Sequence, residues 1–210
     1  MQPGSVALVL AAAVAHAAWN LASKYKRGDT LLFVCASTYA AALLYVPLSL
    51  VFVANGQQAL DWRLVVGAAV SAVLHTAYSV TLQAGYDRAE FGVVYPIARG
   101  TGPLLTMLFA VLFLGEHLTT IAASGALLVV AGILVVTGNP FRSASRRPLH
   151  GLRWGAATGA TIASYTLWDS YAVTSLQLAP VSYYAATLLL QSLILAPSAL
   201  RRRHRLRVAI

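Results

Sequence analysis

Charge is scarce in this sequence. Only 10% of its 210 residues are charged, against 59% that are hydrophobic. An ordinary soluble domain carries roughly 25%, so a water-soluble globular fold is excluded. Cysteine is nearly absent too. The lone Cys35 lies inside an apolar run, which excludes a disulfide framework and leaves it a small packing role. Catalytic signatures are missing: there is no H-E-x-x-H, no G-x-S-x-G elbow, no Walker A loop and no G-x-G-x-x-G. Histidine spacing offers no metal site, no cofactor motif is present, and the chain does not read as an enzyme. The segment before the A-x-A-like Ala15-His16-Ala17 has no basic side chain, which argues against a cleaved signal peptide.

Apolar runs fill the space. A membrane-spanning helix needs about 20 apolar residues. Seven candidates occur, at about 4–22, 31–54, 62–84, 91–114, 119–138, 152–175 and 180–200. They are continuous rather than alternating, which excludes a β-barrel. The seventh contains no lysine for a Schiff base, so a retinal receptor is excluded as well. The expected fold is an all-α membrane protein of about seven transmembrane helices.

The net charge of +9 suggests nucleic acid at first sight, but the basic residues follow topology. Thirteen of the fifteen lie after runs 1, 3, 5 and 7; Arg63 lies in a loop on the other side, and Arg99 lies within a run. The positive-inside rule puts those basic loops in the cytoplasm and the N-terminus outside, in a bacterial inner membrane. The bilayer, not nucleic acid, is the partner this charge pattern implies.

Two segments repeat. "AHAAWNLASKY" (15–25) resembles "ASYTLWDSYAV" (163–173), pairing His16 with Tyr165, Trp19 with Trp168 and Asn20 with Asp169. The following runs also align, with Pro47 on Pro197. The division is a five-helix unit at 1–140, a basic linker at 141–151, and at 152–210 the first two helices of a second unit with a basic tail. An odd number of spans inverts the second unit. Inverted repeats are a hallmark of secondary transporters, whose substrate sites lie near midplane between the repeats.

Polar residues inside spans are costly and mark function by default. Run 4 reads "FGVVYPIARGTGPLLTMLFAVLF", with Arg99 eight residues from its start, about 12 Å deep at 1.5 Å per residue. Pro96, Gly100, Gly102 and Pro103 around it predict a kinked or broken helix. Tyr95 shares its face. Arg99 is a candidate for an anionic substrate group, or a structural cation paired to an acid. Asp169 is a candidate counter-charge for Arg99, or a proton-coupling carboxylate; Tyr165 lies four residues before it. His16 and Asn20 share a face beside Trp19 and either line a cavity or join helices. His16 is a second proton-coupling candidate. His75, Tyr78, Gln83, Tyr183, Tyr184 and Gln191 read as polar glue between helices, and Glu116 as a turn residue.

The blocks "HAAWNLASK", "GVVYPIARGTGPLLTMLFAVLFLGEHLT", "SGALLVVAGILVV" and "GAATGATIASYTLWD" resemble the EamA-domain proteins of the drug/metabolite transporter superfamily. The resemblance implies a ten-helix carrier of two inverted units exporting or exchanging small organic solutes such as amino acids, metabolites or drugs. It implies a central cavity lined by helices 1, 3, 4 and their second-copy partners. It also implies cytoplasmic termini, against the outside N-terminus of the charge count. Helices 3–5 of the second unit have no counterpart here. The alternative is therefore a non-transporting subunit needing a homo-dimer or partner chain to complete the bundle.

Overall fold

The computed structural model describes residues 3–24, 28–137 and 148–202. They form seven helices in order: α1 (Pro3–Lys24), α2 (Thr30–Ala54), α3 (Trp62–Arg88), α4 (Phe91–Phe113), α5 (Thr120–Thr137), α6 (Pro148–Thr174) and α7 (Pro180–Arg202). No strand occurs among the described residues. Each expected run corresponds to one helix. The linker arginines Arg142, Arg146 and Arg147 and the tail beyond residue 202 lie outside the described residues.

Local chemistry sets the helix ends. The Asp29 carboxylate accepts from the Leu31 and Leu32 amides at 2.9 and 3.2 Å and caps α2. Asp61 does the same for α3, accepting from Leu64 at 3.1 Å. Pro148 and Pro180 open α6 and α7, where a missing N–H leaves no bond unmade. Gly56 and Gly115, just past α2 and α4, take the left-handed φ of +70° that ends a helix cheaply.

Four helices, α2, α3, α4 and α7, are long and apolar enough to cross a membrane. Shorter apolar stretches occur in α1 (Val6–Trp19) and α5 (Thr120–Val135). The 27 residues of α6 carry Thr158, Tyr165 and Asp169 and do not meet that criterion. Large side chains face outward, among them Ile121 at 84% exposed, Val135 at 81% and Leu43 at 77%. Water would not tolerate apolar surface on this scale; lipid does.

The helices are held by two seams. In one, α2 lies along α7, with Val34, Cys35 and Leu195 buried together. Cys35 is thus the small packing residue its position suggested. In the other, α6 lies along α4, with α3 against α6 and α7 and α5 on the far side of α4. The second seam is built on glycine. Gly151, Gly155 and Gly159 repeat every four residues along one face of α6. An added Cβ there would lie 2.9 Å from Val93, 2.7 Å from Ile97 and 2.6 Å from Thr101, all on α4. From the other side, a Cβ on Gly102 would lie 2.6 Å from Ile162 of α6. Small residues let helix backbones approach closely, and in lipid this packing is a main source of association.

Gly155→Val should therefore wedge the seam apart and lower the stability of the detergent-purified protein by about 1–3 kcal/mol. Gly132→Val is the control, because no atom lies within 4 Å of the added Cβ. Equal thermal unfolding of the two variants would refute the seam's importance.

Candidate functional site

A strip along α3 carries the site. His75, Tyr78, Ser79, Leu82, Gln83 and Tyr86 recur every three or four residues and so share one face. They line a half-enclosed cavity of about 330 Å³, at the small end of the roughly 300–1,000 Å³ typical of ligand pockets. His16 and Trp19 of α1 complete the wall, with Phe33, Val34 and Ser37 of α2, Arg99 of α4, Tyr165 of α6 and Tyr184 of α7. Trp19 stacks on Phe33 with ring centres 5.7 Å apart.

Arg99 is held by aromatic groups. Its guanidinium donates to the Tyr78 hydroxyl at 3.3 Å and stands over the Tyr95 ring, 5.5 Å from its centre. Ring faces attract cations, more strongly where water is scarce. The arrangement holds a positive charge at the cavity wall.

Below the cavity lies a second polar centre. Asp169 accepts from Ser71 at 2.7 Å, from Tyr183 at 2.6 Å and contacts His75 Nε2 at 2.8 Å. An ionised carboxylate only accepts, so Nε2 carries a proton in this pair. The carboxylate thereby joins α3, α6 and α7. His75 stacks on Tyr165, centres 4.3 Å apart, and both line the cavity, which places Asp169 directly behind its wall. Beyond it, Leu64, Ala68, Ala172, Leu178 and Tyr183 pack into a buried plug. Trp168 donates to the Gly67 carbonyl at 2.9 Å and pins α6 to α3 there.

The opposite end is bounded by ions. Asp29 pairs with Arg202 at 2.8 Å. Thr30 donates to Asp87 at the end of α3. A smaller cavity of about 280 Å³ shares Val34 with the first and is lined by Asp87, Arg88 and Arg202. The cavity around Arg99 thus occupies the half of the bundle nearer the α1–α2 and α3–α4 connections; in the other half α3, α6 and α7 close into the plug, while clefts of about 500 and 580 Å³ lie along α4 and α6.

The family model described as the EamA-like transporter family matches residues 4–138. The chain belongs to this family. It is a multi-pass membrane protein of a family of small-solute transporters. No solved structure matches it.

In this EamA-like chain, the sequence-predicted residues divide. His16, Trp19, Arg99 and Tyr165 come together on the cavity wall. Tyr95 stands behind Arg99, and Asp169 stands behind His75. Asn20 lies on α1, and its side chain is outside the described residues. Three expectations change. Asp169 is the partner of His75 rather than the counter-charge of Arg99. Next, of the kinked and broken forms expected for α4, the broken one does not occur: Pro96 and Pro103 lie within one continuous helix. Gly100 and Gly102 sit where Ile133 of α5 and Ile162 of α6 press against the backbone, so they serve close approach. Finally, His75, Tyr78, Gln83 and Tyr184 line the cavity, while His75 and Tyr78 also join helices as expected, through Asp169 of α6 and Arg99 of α4. The α3 spacing was the available signal. The cavity also takes residues from α2 and α7, beyond the helices the resemblance implied.

The Asp29–Arg202 pair makes a pH prediction. Burial raises the Asp29 carboxyl, but the Arg202 hydrogen bond and the Leu32 and Leu31 amides outweigh it, leaving the pKa below 3.8. A depressed carboxylate contributes stability above its ordinary pKa and loses it as pH falls through the lowered one. Arg202→Gln should raise amide hydrogen exchange around residues 29–33 at pH 7. That difference from wild type should shrink once acid protonates Asp29. An effect independent of pH would assign the loss to packing instead.

Proposed function

We propose that this chain is a secondary transporter that exports small organic solutes across the bacterial inner membrane by alternating access. The observation carrying the proposal is Arg99 on the wall of an aromatic cavity in one half of the bundle, with the buried plug of α3, α6 and α7 in the other. A carrier caught open to one side has this form. With the basic loops in the cytoplasm, the cavity lies in the cytoplasmic half, which suits loading for export. Arg99 takes an anionic group of the solute. His16, Trp19 and Tyr165 form walls, Tyr95 steadies the guanidinium, and Asn20 extends the α1 face.

Asp169 is the coupling group in this reading, with His16 as a second proton carrier. Protonating Asp169 removes acceptor capacity from a carboxylate that joins three helices, weakening the link between α3, α6 and α7 beside the plug. Proton entry then favours opening of the plug.

A second reading adds another chain. The described side chains of α1 from Leu10 to Trp19 are all exposed, with Val14 at 71%. If α1 corresponds to α6, its face is equivalent to the one α6 presents to α3 and α4. This face favours a second copy or partner chain completing the bundle. Native mass spectrometry from detergent should then give a complex heavier than one chain, and a monomer that transports alone would remove this reading.

Transport itself is tested with a solute found by toxicity screening of expressing cells. One hydrogen bond to a charged group contributes about 1.5–3 kcal/mol. Arg99→Ala should therefore cut solute affinity in proteoliposomes by roughly 10- to 100-fold. Asp169→Asn should keep binding but abolish the response to an imposed pH gradient. Unchanged transport by Arg99→Ala would overturn the binding role.

A further inference from the structure

Among the described residues, His75 alone both lines the cavity and bonds to Asp169. The other two partners of the carboxylate, Ser71 and Tyr183, are 1% and 4% exposed and are not part of the cavity wall. Asp169 is not a lining residue either. The imidazole is thus the side chain that stands between the carboxylate and the cavity.

Its two nitrogens have different surroundings. Nε2 lies 2.8 Å from Asp169 Oδ2. Nδ1 takes part in no hydrogen bond among the described residues, and the side chain keeps 19% of its surface exposed. Two ring contacts hold the imidazole in place: the stack on Tyr165 and an edge contact to Tyr184 with centres 6.4 Å apart. An imidazole takes a proton at one nitrogen and releases one at the other without changing position.

The surrounding groups favour exchange with Asp169. Facing the ring are Asp169 and Tyr165 on α6, Tyr183 and Tyr184 on α7, and Tyr78 on its own helix. Across the cavity stand His16 of α1 and Arg99 of α4. Arginine and tyrosine keep their protons near neutral pH. The two histidines and Asp169 are left as groups that exchange one, and only Asp169 is bonded to the ring.

We infer that His75 is the proton relay between the cavity and Asp169. A proton from cavity water joins Nδ1 as Nε2 passes its own to Asp169 Oδ2. One N–H bond forms, the other breaks, and an O–H bond forms on the carboxyl. The ring stays neutral in its other tautomer, and the carboxyl becomes neutral. The reverse transfer empties Asp169 into the cavity. This role rests on Asp169 being the coupling group of the transport reading. It makes the imidazole, rather than direct entry of water, the way protons reach that group from the cavity.

The test uses the full chain purified in detergent, with the proton itself as the probe. Infrared spectroscopy after a rapid drop in pH follows the carbonyl stretch of the protonated Asp169 carboxyl, identified as the band missing from Asp169→Asn. His75→Gln keeps an N–H for the carboxylate but has no basic nitrogen to pass a proton on. It should slow the appearance of the band about 100-fold, the low end of what a positioned acid–base group supplies. His75→Ala should be as slow, and added imidazole should restore its rate in proportion to concentration. Pyrazole, a ring of the same shape with much weaker basicity, should not. Wild-type speed in His75→Gln, or equal rescue of His75→Ala by pyrazole, would assign His75 a packing role and overturn the relay while leaving Asp169 as the coupling group. A spectrum in which Asp169→Asn removes no band at any pH that keeps the chain folded would overturn both.

Discussion

The site depends on how closely α6 can lie against α4. Arg99 rides on α4, while Tyr165 and Asp169 ride on α6, and their separation is set by the glycine face at Gly151, Gly155 and Gly159. In lipid no hydrophobic effect drives helices together, so contact must come from packing and polar bonds. Removing side chains from that face lets the backbones close. That closeness brings the wall of α6 up to the strip on α3. The cavity is the space left where the large rings of α3, α6 and α7 replace glycine.

Polar groups in this bundle are then arranged in layers. Ion pairs and caps hold the end near Asp29, Arg202 and Asp87. A cation among tyrosines sits deeper, at Arg99. Deeper still, Asp169 gathers three donors. Each charge is accommodated by a different chemistry: water and counter-ions, ring faces, then a full set of hydrogen bonds. Burying a charge without one of these would cost several kcal/mol.

Much of the fold was legible because apolar length alone specifies membrane helices. Arg99 was legible because a cation in such a run stands out. The partner of Asp169 was not: His75 lies 94 residues away in sequence, and nothing local joins them. The α3 strip shows only when His75, Tyr78 and Gln83 are taken together, since their spacing, not any one of them, marks a common face. Pro96 and Pro103 do not interrupt α4, which runs through both as one helix. The neighbouring Gly100 and Gly102 also serve close contact with Ile133 and Ile162, which cannot be read without knowing what lies opposite.

The α2–α7 seam has a consequence for how the chain is made. Cys35 meets Leu195 across 160 residues, and Asp29 meets Arg202 across 173. During synthesis, α2 therefore enters the bilayer long before its packing partner exists. Its inner face must wait against lipid, with the Asp29 carboxylate already capping the helix but lacking its arginine. Insertion of α7 is then the event that completes α2 as well as itself. Packing of α2 is thus finished only by a helix some 150 residues further along the chain.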